Sequence, residues 1–205
     1  MDPAVVLVDA GMGNLRSVEN AFGALGHAVE VASSPGALAS ATHVVMPGVG
    51  AFGDGMAALE AGGWVPALED AVLGRGVPFL GICLGLQLLA TWGTEHGDRP
   101  GLGWVKGTVE RLPESPGIRV PHIGWNDVEA TAPCPLVDPS GGTFYFVHSY
   151  ALAADTPDAV AVTEHGGRFA AVVQRGNVFG VQFHPEKSHR AGLAVLREFA
   201  ELKPC

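Results

Sequence analysis

Two short segments, about a hundred positions apart, together hold a thiol, an imidazole and a carboxylate, the parts of a nucleophilic acyl-transfer site. The first is Gly81-Ile82-Cys83-Leu84-Gly85, which has the form of a nucleophile elbow. It follows the apolar run Val77–Ile82, which reads as a buried strand, and precedes Leu84–Ala90, which reads as a helix. A sharp strand-to-helix turn strains the backbone at Cys83, and glycines two before and two after relieve the crowding. A thiol at a helix N-terminus is biased toward thiolate by the helix dipole. The second segment is His184-Pro185-Glu186, at the end of the strand-like run Asn177–Phe183. In extended backbone, residues i and i+2 point the same way, and Pro185 biases His184 toward that conformation. Glu186 can then bind one imidazole nitrogen while the other faces a thiol.

Oxyanion stabilisation needs two N–H donors. The amide after the nucleophile, that of Leu84, is one. The strand His43–Met46 leads into Pro47-Gly48-Val49-Gly50-Ala51-Phe52-Gly53-Asp54-Gly55, where four glycines in nine residues let the backbone approach a ligand. The second donor is expected there, near Val49 or Gly50. A phosphate loop would need Lys and Ser/Thr after its last glycine, and Met56 and Ala57 follow instead.

Each segment alone has an ordinary explanation. Cys83 could be a buried cysteine between packing glycines, and His184-Pro185-Glu186 a surface turn. A metal site of His184, Glu186 and His189 matches no strong zinc spacing. Gly11-Met12-Gly13 fails as a dinucleotide fingerprint because Arg16 stands where its third glycine belongs. No metal or cofactor is expected.

The elements that must position these residues alternate strand and helix through the first half. Strands are expected at Ala4–Asp9, Val29–Ala32, Val44–Met46 and Val77–Ile82. Helices are expected at Asn14–Leu25, with Asn14 as N-cap, and near Met56–Glu60 and Val65–Leu73. This is the pattern of a mostly parallel central sheet flanked by helices, which binds ligands at the carboxyl ends of its strands. The C-terminal half adds antiparallel strands: Trp104–Leu112, Ile118–His122, Thr143–Leu152, Ala159–Glu164, Phe169–Gln174 and Val178–Phe183. Gly166-Gly167 and Gly176-Asn177 read as hairpin turns, Ala132–Gly142 as a loop, and Leu193, Leu196 and Phe199 as the apolar face of a closing helix.

At 205 residues and 47% hydrophobic, the chain is expected to form one α/β domain over 1–205. No run reaches the ~18 apolar residues of a membrane span, and Met1-Asp2-Pro3-Ala4-Val5 lacks the basic start of a signal peptide. Cys83, Cys134 and Cys205 are too few and too scattered for a disulfide framework, so a reducing cytoplasm is expected. A net charge of −9 argues against a nucleic-acid partner.

The triad Cys83, His184 and Glu186 resembles that of the class I glutamine amidotransferases. These hydrolyse glutamine to glutamate and ammonia and pass the ammonia to a synthase. Asp9–Val18, Pro121–Asn126, Phe144–Tyr150 and Gly180–Ser188 resemble, more narrowly, the glutaminase subunits of imidazole glycerol phosphate synthase, along nearly the whole chain. Ala10 departs from that pattern, where many members carry an aromatic residue. The resemblance implies that Cys83 attacks the glutamine carbonyl, His184 serves as base and acid, and Glu186 orients it. It implies that Gln87, the Pro47–Gly50 loop, His148, Ser149 and Tyr150 line the substrate pocket. The implied partner is a cyclase subunit, a (β/α)8 barrel, with Asn14, Lys187, Trp125 and Tyr145 on the shared face. Other ammonia-channelling glutaminases and stand-alone thiol hydrolases remain as alternatives, and so does a binding module in which Cys83 is merely buried. A glycine-rich oxyanion loop whose amide can turn away would leave the isolated chain a poor glutaminase.

Overall fold

The computed structural model describes residues 4–114 and 116–203. Met1, Asp2, Pro3 and Cys205, weighed above, lie outside the described residues. Five strands form the parallel part of a nine-stranded sheet: β1 (Val5–Val8), β2 (Val29–Ala32), β3 (His43–Gly48), β4 (Phe79–Cys83) and β13 (Val178–Val181). Their order is β2-β1-β3-β4-β13. Antiparallel strands β12 (Arg168–Arg175), β11 (Ala159–Glu164), β8 (His122–Ala130) and β9 (Gly142–His148) extend it. A second sheet, in the order β10-β7-β5-β6, joins Tyr150–Leu152, Val105–Arg111, Ala90–Gly93 and Arg99–Pro100.

The central strands are apolar on both faces because both faces are covered. Val6, Val8, Val44, Met46 and Phe79 point into one core layer, with Phe52 and Leu59 of α2 (Phe52–Ala61) and Trp64 and Leu68 of α3 (Trp64–Leu68). Val5, Leu7, Val45, Leu80 and Ile82 alternate into the other. That layer holds Phe22 of α1 (Leu15–Ala24) and Leu196 and Phe199 of α5 (His189–Glu201). Ala10 packs partly buried against the first layer.

Several expectations need correction. Asn14 occupies the N-cap position of α1, but its side chain makes no capping hydrogen bond. The helix expected over Leu84–Ala90 is a single turn, α4 (Leu84–Gln87), followed by β5. The carbonyls of Leu88, Leu89 and Ala90 accept from Leu102, Val105 and Gly103 rather than from the next helical turn. The strand expected at Ile118–His122 instead begins at His122 and runs to Ala130. Thr143–Leu152 is two strands in different sheets, broken at Ser149, whose carbonyl accepts from Leu112. The helix near Val65–Leu73 passes from α3 into a π-type segment at Glu69–Gly74. Both glycine turns do connect antiparallel neighbours, β11 to β12 and β12 to β13.

Candidate active site

Strands β3 and β4 run in register so that Gly48 lies opposite Cys83, and β4 and β13 so that Ile82 lies opposite Val181. The glycine-rich loop, Cys83 and the segment leading to His184 therefore meet at the carboxyl ends of three adjoining strands. Cys83 has φ +56°, ψ −108°, a left-handed conformation that a β-carbon resists and that its surroundings must enforce. The flanking glycines permit it. A β-carbon on Gly85 would strike the Met46 carbonyl, and one on Gly81 would come within 2.5 Å of the Gly85 carbonyl oxygen.

His184 Nδ1 lies 2.8 Å from Glu186 Oε1, and the imidazole is buried. The carboxylate has only acceptors, so Nδ1–H donates, leaving Nε2 as the free ring position. That Nε2 makes no hydrogen bond with any described residue, nor does Glu186 Oε2. Burial pulls the His184 pKa down, but the Cys83 sulfur and the Glu186 carboxylate outweigh it and raise the imidazole to about 9. The ring is thus an imidazolium at neutral pH, poised to give up a proton. The thiol of Cys83 donates weakly to the Val147 carbonyl at 3.9 Å and accepts from Gln182 Nε2 at 3.7 Å.

Cys83 opens into a pocket of about 320 Å³ lined by Val49, Gly50, Leu84, Gln87, His148, Ser149 and Tyr150, the expected set. Glu95, Pro121 and Val147 complete the wall. Glu95 Oε2 accepts from the Phe52 amide at 2.9 Å at the start of α2. Leu84 is the first residue of its helical turn, where the amide has no intrahelical acceptor. The Val49 amide is turned away from the pocket: it donates to the Met12 carbonyl at 2.5 Å. Gly50 follows at φ +111°.

His148, in the pocket wall, belongs to a relay of rings. Its Nδ1 donates to the Tyr150 carbonyl (2.9 Å), so its Nε2 accepts from His122 Nδ1 (3.1 Å), and Asn126 donates to His122 Nε2 (3.3 Å). Burial pushes His148 to about 3 and His122 to about 4, so both are neutral, as the directional chain requires.

The remaining expected residues gather beside the site. Asn14 and Lys187 border one small cavity with Pro47, Gly48, Val49, His184 and Glu186. Trp125 and Tyr145 are register partners across β8 and β9, with ring centroids 6.0 Å apart, and the Lys187 ammonium lies 6.0 Å from the Tyr145 ring. Trp125 also stacks on His189 at 4.9 Å. Among the described residues, no group of three or more His, Cys, Asp or Glu side chains could hold a metal ion. No described helix is long and apolar enough to cross a membrane.

Two residues escaped the sequence reading. Gln182 is a buried polar residue just past the end of β13, and its sequence signal is a single polar residue in the apolar run Val178–Phe183. Glu95 sits in an irregular turn with nothing local to mark it.

Comparison with known proteins decides the family. A model of the glutamine amidotransferase class-I family matches residues 6–202. The chain belongs to the class I glutamine amidotransferases. It is 51% identical to "Imidazole glycerol phosphate synthase subunit HisH" of Moorella thermoacetica, covering 97% of this chain and 94% of that one. It is also 51% identical to the protein of the same name from Zymomonas mobilis, covering 98% and 96%. The chain is therefore a member of that subunit's family within the class I amidotransferases. A solved glutamine amidotransferase shares the fold with TM-score 0.76 at 21% identity, covering 97% of this chain and 98% of the other. PurLQS from Thermotoga maritima does so with TM-score 0.73 at 21% identity, with the same coverage.

Proposed function

We propose that this chain is the glutaminase subunit of an imidazole glycerol phosphate synthase. It hydrolyses L-glutamine to L-glutamate and ammonia, and the ammonia passes to a cyclase subunit with a (β/α)8 barrel, working in the cytoplasm. That partner uses it to make imidazole glycerol phosphate and aminoimidazole carboxamide ribotide in histidine biosynthesis. The observation that carries the reading is Cys83, strained at the floor of a pocket beside a buried His184–Glu186 pair 2.8 Å apart.

The chemistry follows from the geometry. The Cys83 sulfur, its proton carried by the His184 imidazolium, adds as thiolate to the side-chain amide carbon of glutamine, and the carbonyl π electrons move to oxygen. His184 delivers the Nε2 proton to the amide nitrogen, the C–N bond breaks, ammonia leaves and a thioester remains. His184, now neutral, takes a proton from water as it attacks the thioester. Collapse expels the sulfur, which leaves as thiolate beside the re-formed imidazolium, and releases glutamate. Glu186 keeps the imidazole in the tautomer that presents Nε2 and stabilises the imidazolium. Glu95 is the pocket carboxylate suited to the substrate's α-ammonium group.

The oxyanion needs the amides of Leu84 and Val49. Because Val49 N–H is bonded to Met12, its peptide must turn before it can serve, and Gly48 gives that peptide its rotational freedom. A hole with one donor costs about 10²–10³ in rate. A partner that draws the peptide inward recovers that factor by favouring a second conformation. Val49, Ile123 and Trp125 are 51%, 60% and 47% exposed beside Asn14, Tyr145 and Lys187, and we assign this face to the partner.

Steady-state glutaminase assays of the chain alone, with a cyclase subunit, and with cyclase plus its nucleotide ligand test both parts. Little turnover alone and a rise of at least about 10²-fold in the liganded complex is the expected result. No glutamine hydrolysis in the complex would overturn the function. Full turnover by the lone chain would overturn only the gating.

A further inference from the structure

We infer that Gln182 is a donor that stabilises the ionised Cys83 sulfur and is locked in that role by Gln87. The inference rests on the reading of Cys83 as the nucleophile. Register places Gln182 there. The β4–β13 pairing ends at Ile82–Val181, and the next residues of the two segments are Cys83 and Gln182. The Gln182 backbone amide donates to the Ala171 carbonyl at 2.9 Å, which fixes where its side chain starts.

The Gln182 side chain has no solvent exposure and stands between the buried apolar residues Val181 and Phe183 in the sequence. A buried amide is costly unless its donors and acceptor are used. Here they are used in one direction only. Gln87 Nε2 donates to the Tyr150 carbonyl at 2.8 Å and to Gln182 Oε1 at 3.1 Å. A primary amide has two N–H bonds, so Gln87 has spent both. Flipping the Gln182 amide would set N–H against N–H. The Oε1 of Gln182 is therefore held toward Gln87, and its Nε2 is held toward the Cys83 sulfur at 3.7 Å.

The two hydrogen bonds of that sulfur to described residues act in opposite senses. The Val147 carbonyl can only accept, so it favours the protonated thiol. The Gln182 N–H can only donate, so it favours the thiolate, and a hydrogen bond to a charged group is stronger than to a neutral one. The same arithmetic restricts Gln87. With both N–H bonds committed, it can offer the pocket only its carbonyl oxygen, so any contact it makes with substrate is to an N–H group.

The test uses the full chain, with Gln182→Glu and Gln182→Met as variants. Glu keeps an oxygen for Gln87 but sets a carboxylate against the sulfur, and Met keeps the volume but offers no donor. Iodoacetamide alkylation of Cys83, followed by peptide mapping against pH, reads the thiolate population directly. In both variants the midpoint should move upward by about one to two pH units, further for Glu than for Met. In complex with the cyclase, kcat for glutamine should fall about tenfold to a hundredfold with KM little changed. A purely structural role would instead lower the unfolding midpoint and leave the alkylation profile in place. Should a variant not fold, the unsubstituted protein still decides. The side-chain amide resonances of Gln182 should titrate with the Cys83 alkylation midpoint and stop doing so in Cys83→Ser. Superimposed alkylation profiles, or Gln182 resonances blind to Cys83 ionisation, overturn the inference. Neither depends on glutamine turnover, so failure of the glutaminase reading would register separately.

Discussion

At the scale of single residues, the site divides into groups that react and groups that aim them. Cys83→Ser should abolish glutamine-dependent synthesis by the complex while ammonia-dependent synthesis continues, because the sulfur serves only to release ammonia. Product formation from each nitrogen source measures this directly, and glutamine hydrolysis surviving in the variant would place the nucleophile elsewhere. His184→Ala should cost more than Glu186→Gln, by about tenfold or more in kcat, since supplying a proton carrier outweighs orienting it. Equal losses in folded variants would give Glu186 a larger part than orientation.

At the scale of elements, the elbow is a place where backbone passes against backbone. Gly85→Ala would force a β-carbon into the Met46 carbonyl of the neighbouring strand, and neither side can yield without shifting β3. The expected cost is at least about 1–3 kcal/mol, the range for overpacking, with loss of the Cys83 geometry. Gly23→Ala provides the contrast. It lies on the exposed side of α1 with nothing within 4 Å of an added β-carbon, and should stabilise by about 0.4–1 kcal/mol. Urea unfolding of the pair separates the two mechanisms, and a harmless Gly85→Ala would mean that the elbow tolerates rearrangement. Lys187 is the last residue of the short 3-10 turn Pro185–Lys187, beside the triad but free of the chemistry. Lys187→Ala should weaken complex formation or unbalance glutamine consumed against product made. Unchanged affinity and stoichiometry would remove it from the partner face.

At the scale of the whole molecule, the histidines make stability depend on pH at both ends. His148 and His122 are held below their ordinary value of 6.5, to about 3 and about 4. The unfolded chain therefore binds more protons than the folded one between these values and 6.5, and stability falls as pH drops through that window. Each buried ring contributes a slope of up to about 1.4 kcal/mol per pH unit. His184 is raised to about 9, so its contribution is complete below 6.5 and is lost as pH climbs through 9. Denaturant unfolding at intervals from pH 4.5 to pH 10 should trace both limbs, and His148→Gln should flatten the acidic one. An acidic limb that is equally steep in that variant would assign it to other groups.

The chemistry of this protein was legible from sequence because an elbow writes itself into consecutive residues. Gly81 and Gly85 are needed wherever a nucleophile stands on such a turn, and Pro185 between His184 and Glu186 fixes their relation locally. The buried parallel strands were legible for a similar reason: a strand covered on both faces must be apolar throughout, as Val5–Val8 and Phe79–Ile82 are. What only the tertiary structure decided depends on partners distant in the chain. The run after Cys83 leaves its helix after one turn because residues 102–105 capture the carbonyls of Leu88–Ala90, and local periodicity carries no trace of that competition. The break at Ser149 that sends His148 and Tyr150 into different sheets comes from Leu112. The Val49 amide faces Met12 rather than the pocket, and Gln182 lies against Cys83 ninety-nine positions away, because adjoining strands bring them together. Residue types announce which reactions are possible, whereas the direction of an amide is settled only by the atom it meets.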